Sequence, residues 1–146
     1  MNADSVLQLS SDIVTIHVAE SIVYNGESNR IEIEVSVKEG YHIQANEVND
    51  EALIPTTLQI ENNAFLVISK QEFPPGKQFK LEGADNLLDV YDGEFRIKLF
   101  LEPVQPAAES KHVLKARLRY QACDSKRCLF PRTIDFLIPV EVKSRK

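Results

Sequence analysis

Ile31, Ile33, Val35 and Val37 alternate with Glu32, Glu34, Ser36 and Lys38, and Leu114, Ala116, Leu118, Tyr120 and Ala122 alternate with Lys115, Arg117, Arg119 and Gln121. Successive side chains of an extended chain point to opposite faces, so each run predicts a strand with one buried and one wetted face. The same period returns at Phe95, Ile97, Leu99 and Leu101, and at Ile134, Phe136, Ile138, Val140 and Val142. Shorter apolar runs predict strands over Ile13 to Val18 and Ser21 to Tyr24, with a reversal at Asn25-Gly26 and another at Glu39-Gly40. Leu58 and Ile60, followed by Phe65, Val67 and Ser69, predict a hairpin about Glu61-Asn62-Asn63.

Between these runs the chain reads as connection. Met1 to Ser11 is polar and predicts a loose terminus. Asn46 to Glu51 predicts a loop, and Phe73-Pro74-Pro75-Gly76 a stiff turn, because neither proline fits a central strand. Asp85 to Gly93 is turn-rich, with Leu87 and Leu88 expected to join the core. Pro103 and Pro106 end the run from Phe95 to Leu101, and Pro139 calls for an edge or a non-bonded ladder position. At least seven short strands and no amphipathic helix make the chain all-β, an antiparallel β-sandwich.

A length of 146 residues with 43% hydrophobic and 27% charged side chains predicts one globular domain over residues 1–146, its core at about 12–142. The net charge of -5 gives no reason to expect nucleic acid, and Lys111 to Arg119 reads as the wetted face of a strand rather than a basic patch. No apolar run approaches the ~20 residues that span a bilayer. No charged-then-apolar leader opens the chain, so an extracytoplasmic origin requires that a leader has been removed. A glycine-rich phosphate loop and a Ser-His-Asp pattern are both missing, and no cofactor is implied.

The chemistry is concentrated at Tyr120-Gln121-Ala122-Cys123-Asp124-Ser125-Lys126-Arg127-Cys128-Leu129-Phe130-Pro131, which holds both cysteines. If the pleat continues past Ala122, Cys123 points to the wetted side, and Asp124 to Arg127 form a polar reversal that brings Cys128 back toward it. Three readings stand. A structural disulfide is the first, although closing so short a loop contributes only ~2 kcal/mol by the chain-entropy argument. Exchange is the second: Lys126 and Arg127 favour the thiolate that attacks, at Cys128 in particular. The third is a metal site, for which His17, His42 and His112 would have to complete a tetrahedron from separate segments, and their spacing does not ask for one. The pair is not a Cys-x-x-Cys motif.

Tyr120-Gln121-Ala122-Cys123 with Cys128 and Pro131 resembles the cysteine segment of the N-terminal periplasmic domain of the thiol:disulfide interchange protein DsbD family, an immunoglobulin-like electron-relay module. Gly40-Tyr41-His42-Ile43-Gln44-Ala45-Asn46 and Leu53-Ile54-Pro55-Thr56 are similar to that family's segments in the same order, and Asp89 to Gly93 is similar to its cap loop. The chain departs from the family at Val90, where a second acid is expected, at Phe130, where proline is common, and in an intercysteine loop one residue shorter.

The resemblance implies an immunoglobulin-like topology and a periplasmic or extracytoplasmic location. It further implies a thioredoxin-like domain as electron donor. The acceptors would be a periplasmic disulfide isomerase or thioredoxin-like proteins of cytochrome c maturation, and the full-length protein would be tethered to a membrane segment. Carried over, Cys128 forms the mixed disulfide and Cys123 resolves it. Tyr91 takes the aromatic cap position and moves to uncover the sulfurs, Asp89 matches an acid near the site, and Tyr41, His42 and Phe130 border it. Read from the residues alone, Tyr41 after a turn is more simply a core anchor. A non-catalytic sandwich with a structural hairpin disulfide is the alternative.

Overall fold

The alternating runs become the long strands of two facing sheets. The structure, a computed structural model, describes residues 6–10, 13–104 and 108–145. The first sheet contains β1 (Val6–Ser10), β2 (Val14–Ala19), β4 (Asn29–Val37), β10 (Glu94–Pro103) and β7 (Leu66–Glu72), in the order β1-β2-β4-β10-β7. The second is β3 (Ser21–Tyr24), β13 (Arg132–Lys143), β11 (Ser110–Tyr120) and β6 (Thr57–Ile60), in the order β3-β13-β11-β6. All pairings within them are antiparallel except β3 with β13, which is parallel. Ile33, Val35, Ile97 and Leu99 from the first sheet join Leu114, Leu118, Phe136 and Ile138 from the second in one hydrophobic core. The fold is thus an all-β, immunoglobulin-like sandwich, and no described residue is helical.

Three local expectations are corrected. Val6–Ser10, expected as loose terminus, is a strand paired with β2. The expected hairpin about Glu61-Asn62-Asn63 does not form: β6 pairs with β11 in one sheet, and β7 with β10 in the other. Leu66 faces the core while Phe65 and Val67 are exposed, the opposite phase to that read from sequence. The reason is geometric, since Leu58 and Leu66 reach the same core from opposite sides and the chain between them must cross from sheet to sheet. In the third case, the turn-rich segment before Gly93 contains a strand, and of its two leucines Leu88 is buried while Leu87 is exposed. Pro106 lies outside the described residues. Pro139 stands opposite Val113, one residue before the stretch of β13 that pairs with β3.

A small third sheet sits beside the sandwich and positions the cysteines. Its strands are β12 (Ala122–Cys123), β5 (His42–Gln44), β9 (Leu88–Tyr91) and β8 (Lys77–Phe79), in the order β12-β5-β9-β8. The Phe73 to Gly76 segment lies tight against it. A Cβ on Gly76 would come within 2.9 Å of the Ala45 Cβ and 3.2 Å of the Asp89 Cβ, so only glycine lets the backbone approach this closely.

Candidate functional site

Only Gln121 separates the end of β11 from the start of β12, so the pleat of the second sheet carries directly into the cysteine segment. Ala122 stands opposite Ile43 and Cys123 opposite His42. Because side chains alternate, Ala122 and Ile43 join the core, while Cys123, His42 and Gln44 share the other face. Cys123 leaves the core face as expected, but it is not wetted: it is 0% exposed. Cys123, His42 and Gln44 are all buried on this face, where the Phe79 ring of β8 lies against His42 and the chain beyond β8 is bonded to the cysteine reversal, so a face that a two-layer sandwich would leave to solvent is covered.

Cys123 and Cys128 form a disulfide across a tight reversal. The Asp124 N–H donates to the Arg127 carbonyl at 2.9 Å, and the Asp124 carboxylate accepts from the Lys126 and Arg127 N–H groups at 2.8 and 2.9 Å. Those two bonds hold the Asp124 carboxyl below the ordinary carboxylate range. On the far side, the Leu129 N–H donates to the Ala122 carbonyl at 2.7 Å. Gln121 then ties the hairpin to the Leu53-Ile54-Pro55 segment: its Oε1 accepts from the Ile54 N–H at 2.9 Å, and its Nε2 donates to the Leu129 carbonyl at 3.1 Å. Two of the motifs that carry the sequence resemblance therefore meet through one side chain.

The two sulfurs have different surroundings. Cys123 is enclosed, whereas Cys128 is partly exposed and lines a groove of about 480 Å3 with Gln121, Arg127, Leu129, Phe130 and Arg132. Phe130 is 89% exposed at the rim. Behind the sulfurs, Gln44 Nε2 lies 3.3 Å from Cys123 Sγ and 3.9 Å from Cys128 Sγ. His42 is buried, its Nε2 has no hydrogen-bond partner, and its ring meets that of Phe79 at 3.9 Å. Burial pushes the His42 imidazole below its ordinary range, against a smaller opposing effect of the Asp92 and Asp124 carboxylates. A backbone bond from the Glu82 N–H to the Ser125 carbonyl, at 3.0 Å, fastens the chain beyond β8 to the cysteine reversal.

The remaining residues singled out from sequence are spread more widely. Tyr41 packs against the core and takes the Lys38 ammonium over its ring at 5.9 Å. The Asp89 carbonyl accepts from the Ala45 N–H at 2.9 Å, and the acids that act on His42 are Asp92 and Asp124. Tyr91 is placed inside the core, 4% exposed, with its ring 4.4 Å from that of Phe95. Its hydroxyl accepts from the Asn46 N–H at 3.1 Å and donates to the Pro74 carbonyl at 2.9 Å, so its polar contacts lead away from the sulfurs. His17 and His112 lie on β2 and β11, and among the described residues no group of three or more His, Cys, Asp or Glu side chains is placed to hold a metal ion.

Sequence reasoning passed over Gln44 as a contact of sulfur and Phe79 as a cover. The alternation of Lys77, Gln78, Phe79, Lys80 and Leu81 carried a weak signal for a short strand, but nothing in it pointed to His42.

The immunoglobulin-like sandwich thus carries one disulfide in a short hairpin, with one sulfur buried and the other at a groove, a candidate site for thiol–disulfide exchange. The model of the family "Thiol:disulfide interchange protein DsbD, N-terminal" matches residues 12–139, and the chain belongs to that family. Among solved structures it is similar to the N-terminal periplasmic domain of ScsB from Proteus mirabilis, at a TM-score of 0.63 and 17% identity, covering 95% of this chain and 51% of that one. The chain thus spans about half of that relative, and the likeness shows the fold. The reduced N-terminal domain of DsbD from Neisseria meningitidis also matches, at a TM-score of 0.47 and 18% identity, over 77% of this chain and 78% of that one. No curated protein matches the chain.

Proposed function

We propose that this domain is an extracytoplasmic electron relay and acts as a protein-disulfide reductase module. It takes electrons from a thioredoxin-like domain and hands them to other thioredoxin-like oxidoreductases, among them disulfide isomerases and proteins of cytochrome c maturation. In the full-length protein it would be tethered to a membrane segment. The observation that carries this reading is the asymmetry of the disulfide, with Cys123 0% exposed and Cys128 opening on the groove. A thiolate on a docked partner reaches Cys128 Sγ first. It forms the mixed disulfide there, and the Cys123–Cys128 bond breaks with its electron pair on Cys123 Sγ. A second partner thiolate then attacks the partner sulfur, which leaves the partner oxidised and both cysteines reduced. Delivery runs through the same states in reverse.

Phe130 at the groove rim supplies an apolar anchor for the partner, and Arg127 beside Cys128 favours an approaching thiolate. Asp89, Tyr41 and Tyr91 act in this reading by fixing the third sheet against the sandwich, and His42 lies directly beside the reacting pair.

The test uses two variants and a thioredoxin-fold protein with an oxidised Cys-x-x-Cys pair. Cys123→Ser should accumulate a mixed disulfide through Cys128, and Cys128→Ser should not. Both should remain folded, since the bond contributes only ~2 kcal/mol. The wild-type pair should equilibrate at a potential within about -180 to -270 mV. Unfolding of both variants, with a wild-type potential below about -300 mV, would instead establish a structural staple.

A further inference from the structure

Gln44 is an expensive residue to place where it is. It is 0% exposed, its Oε1 is buried without a hydrogen-bond partner, and a leucine would fill the same space with no polar atom to satisfy. Its position is fixed at the backbone. The Gln44 N–H donates to the Gln121 carbonyl at 3.0 Å, and the Gln44 carbonyl accepts from the hydroxyl of Thr56 at 2.5 Å, itself fully buried. With the main chain held on both sides, the side-chain amide has little freedom, and its Nε2 is aimed at Cys123 Sγ from 3.3 Å.

A disulfide sulfur is a weak acceptor, so the oxidised state gains little from this donor. A thiolate is a charged acceptor, and hydrogen bonds to charged acceptors are roughly twice as strong as neutral ones. They gain further where water is excluded and the donor is already in place. We infer that Gln44 is a positioning residue whose amide N–H stabilises the thiolate that Cys123 becomes each time the disulfide is opened at Cys128. This rests on the exchange reading above. When a partner thiolate bonds to Cys128 Sγ, the electron pair of the broken bond is left on Cys123 Sγ, and no proton is required. In the resolving direction that same thiolate attacks Cys128 Sγ and expels the partner thiolate.

The amide serves both directions, because a leaving thiol of lower pKa departs faster and a larger thiolate fraction attacks more often. The ionisable groups around the pair are His42 on β5, Asp92 beyond β9, and Asp124, Lys126 and Arg127 in the reversal. Among the described residues the hydrogen bonds to sulfur come from Gln44.

The experiment places Gln44→Leu, Gln44→Glu and Gln44→Asn in a Cys128→Ser background, where Cys123 is the sole thiol. Its ionisation is read by thiolate absorbance across pH, and folding is read alongside by circular dichroism. Gln44→Leu should raise the Cys123 pKa by about one unit, a tenfold loss of thiolate. Gln44→Glu, of nearly the same size, should raise it further, and Gln44→Asn should fall between wild type and Leu. In the chain with both cysteines, reduction by dithiothreitol should slow several-fold in the same rank order. Folded Leu and Glu variants with an unchanged Cys123 pKa would overturn the inference, as would variants whose pKa follows only their loss of structure. If wild type instead fails to exchange with any thioredoxin-fold protein while the pKa series holds, the relay reading fails and the role of Gln44 stands.

Discussion

His42 and Phe79 meet ring to ring at 3.9 Å with their planes tilted by 43°, and His42 is itself the strand partner of Cys123. Phe79 on β8 therefore covers His42 on the face that it shares with Cys123, and the Glu82 to Ser125 backbone bond holds the following chain in place. Phe79→Ala should speed reduction of the disulfide by glutathione about tenfold. The substitution should cost less than the ~3–5 kcal/mol of a core phenylalanine, because Phe79 is only half-buried. Rates of reduction by a small thiol, measured beside urea unfolding, separate the two effects. An unchanged rate would mean that Phe79 does not shield the sulfurs.

Tyr91 tests a different contact. Its hydroxyl joins the Asn46 N–H to the Pro74 carbonyl, which links the β5 exit to the segment ahead of β8. Tyr91→Phe keeps the ring against Phe95 but strands both backbone groups, for which a loss of about 1–3 kcal/mol is expected. If Tyr91 acts only as an anchor, exchange through Cys128 in this variant should proceed at the wild-type rate once folding is corrected for. Faster exchange at unchanged stability would restore it as the moving cap.

The buried imidazole gives a pH dependence with a definite sign. His42 has a folded-state pKa below its unfolded value, so the unfolded chain binds the extra proton first. Its contribution to stability is present above the unfolded pKa of about 6.5 and is lost as pH falls through the lower folded value. Denaturant midpoints should therefore decline from pH 7 toward pH 5, and His42→Gln should flatten that part of the profile. An equal slope in the variant would assign the decline to other groups.

Much of this architecture is already written in the order of side chains. The runs through Ile33 and Val35, Ile97 and Leu99, Leu114 and Leu118, and Phe136 and Ile138 fix their own inward faces, because a strand has only two sides and burial selects one. The cysteine reversal is equally local, closed by Asp124 within its own turn. Edge segments were harder to read. β7 has one strand neighbour and carries apolar residues on both faces, so Phe65 and Val67 imitate a core phase that belongs to Leu66.

The sandwich, the place of the cysteine pair and the face from which Cys123 projects all follow from periodicity and short-range chain geometry. It takes the packing of distant segments to cover this face, to leave Cys128 rather than Cys123 at the solvent, and to bring Gln44, 79 residues from Cys123, to its sulfur. These depend on β5, β9 and β8 coming from separate parts of the chain to lie beside β12. No local pattern encodes such a meeting, because it is set by how the sheets pack and not by the preference of any one segment.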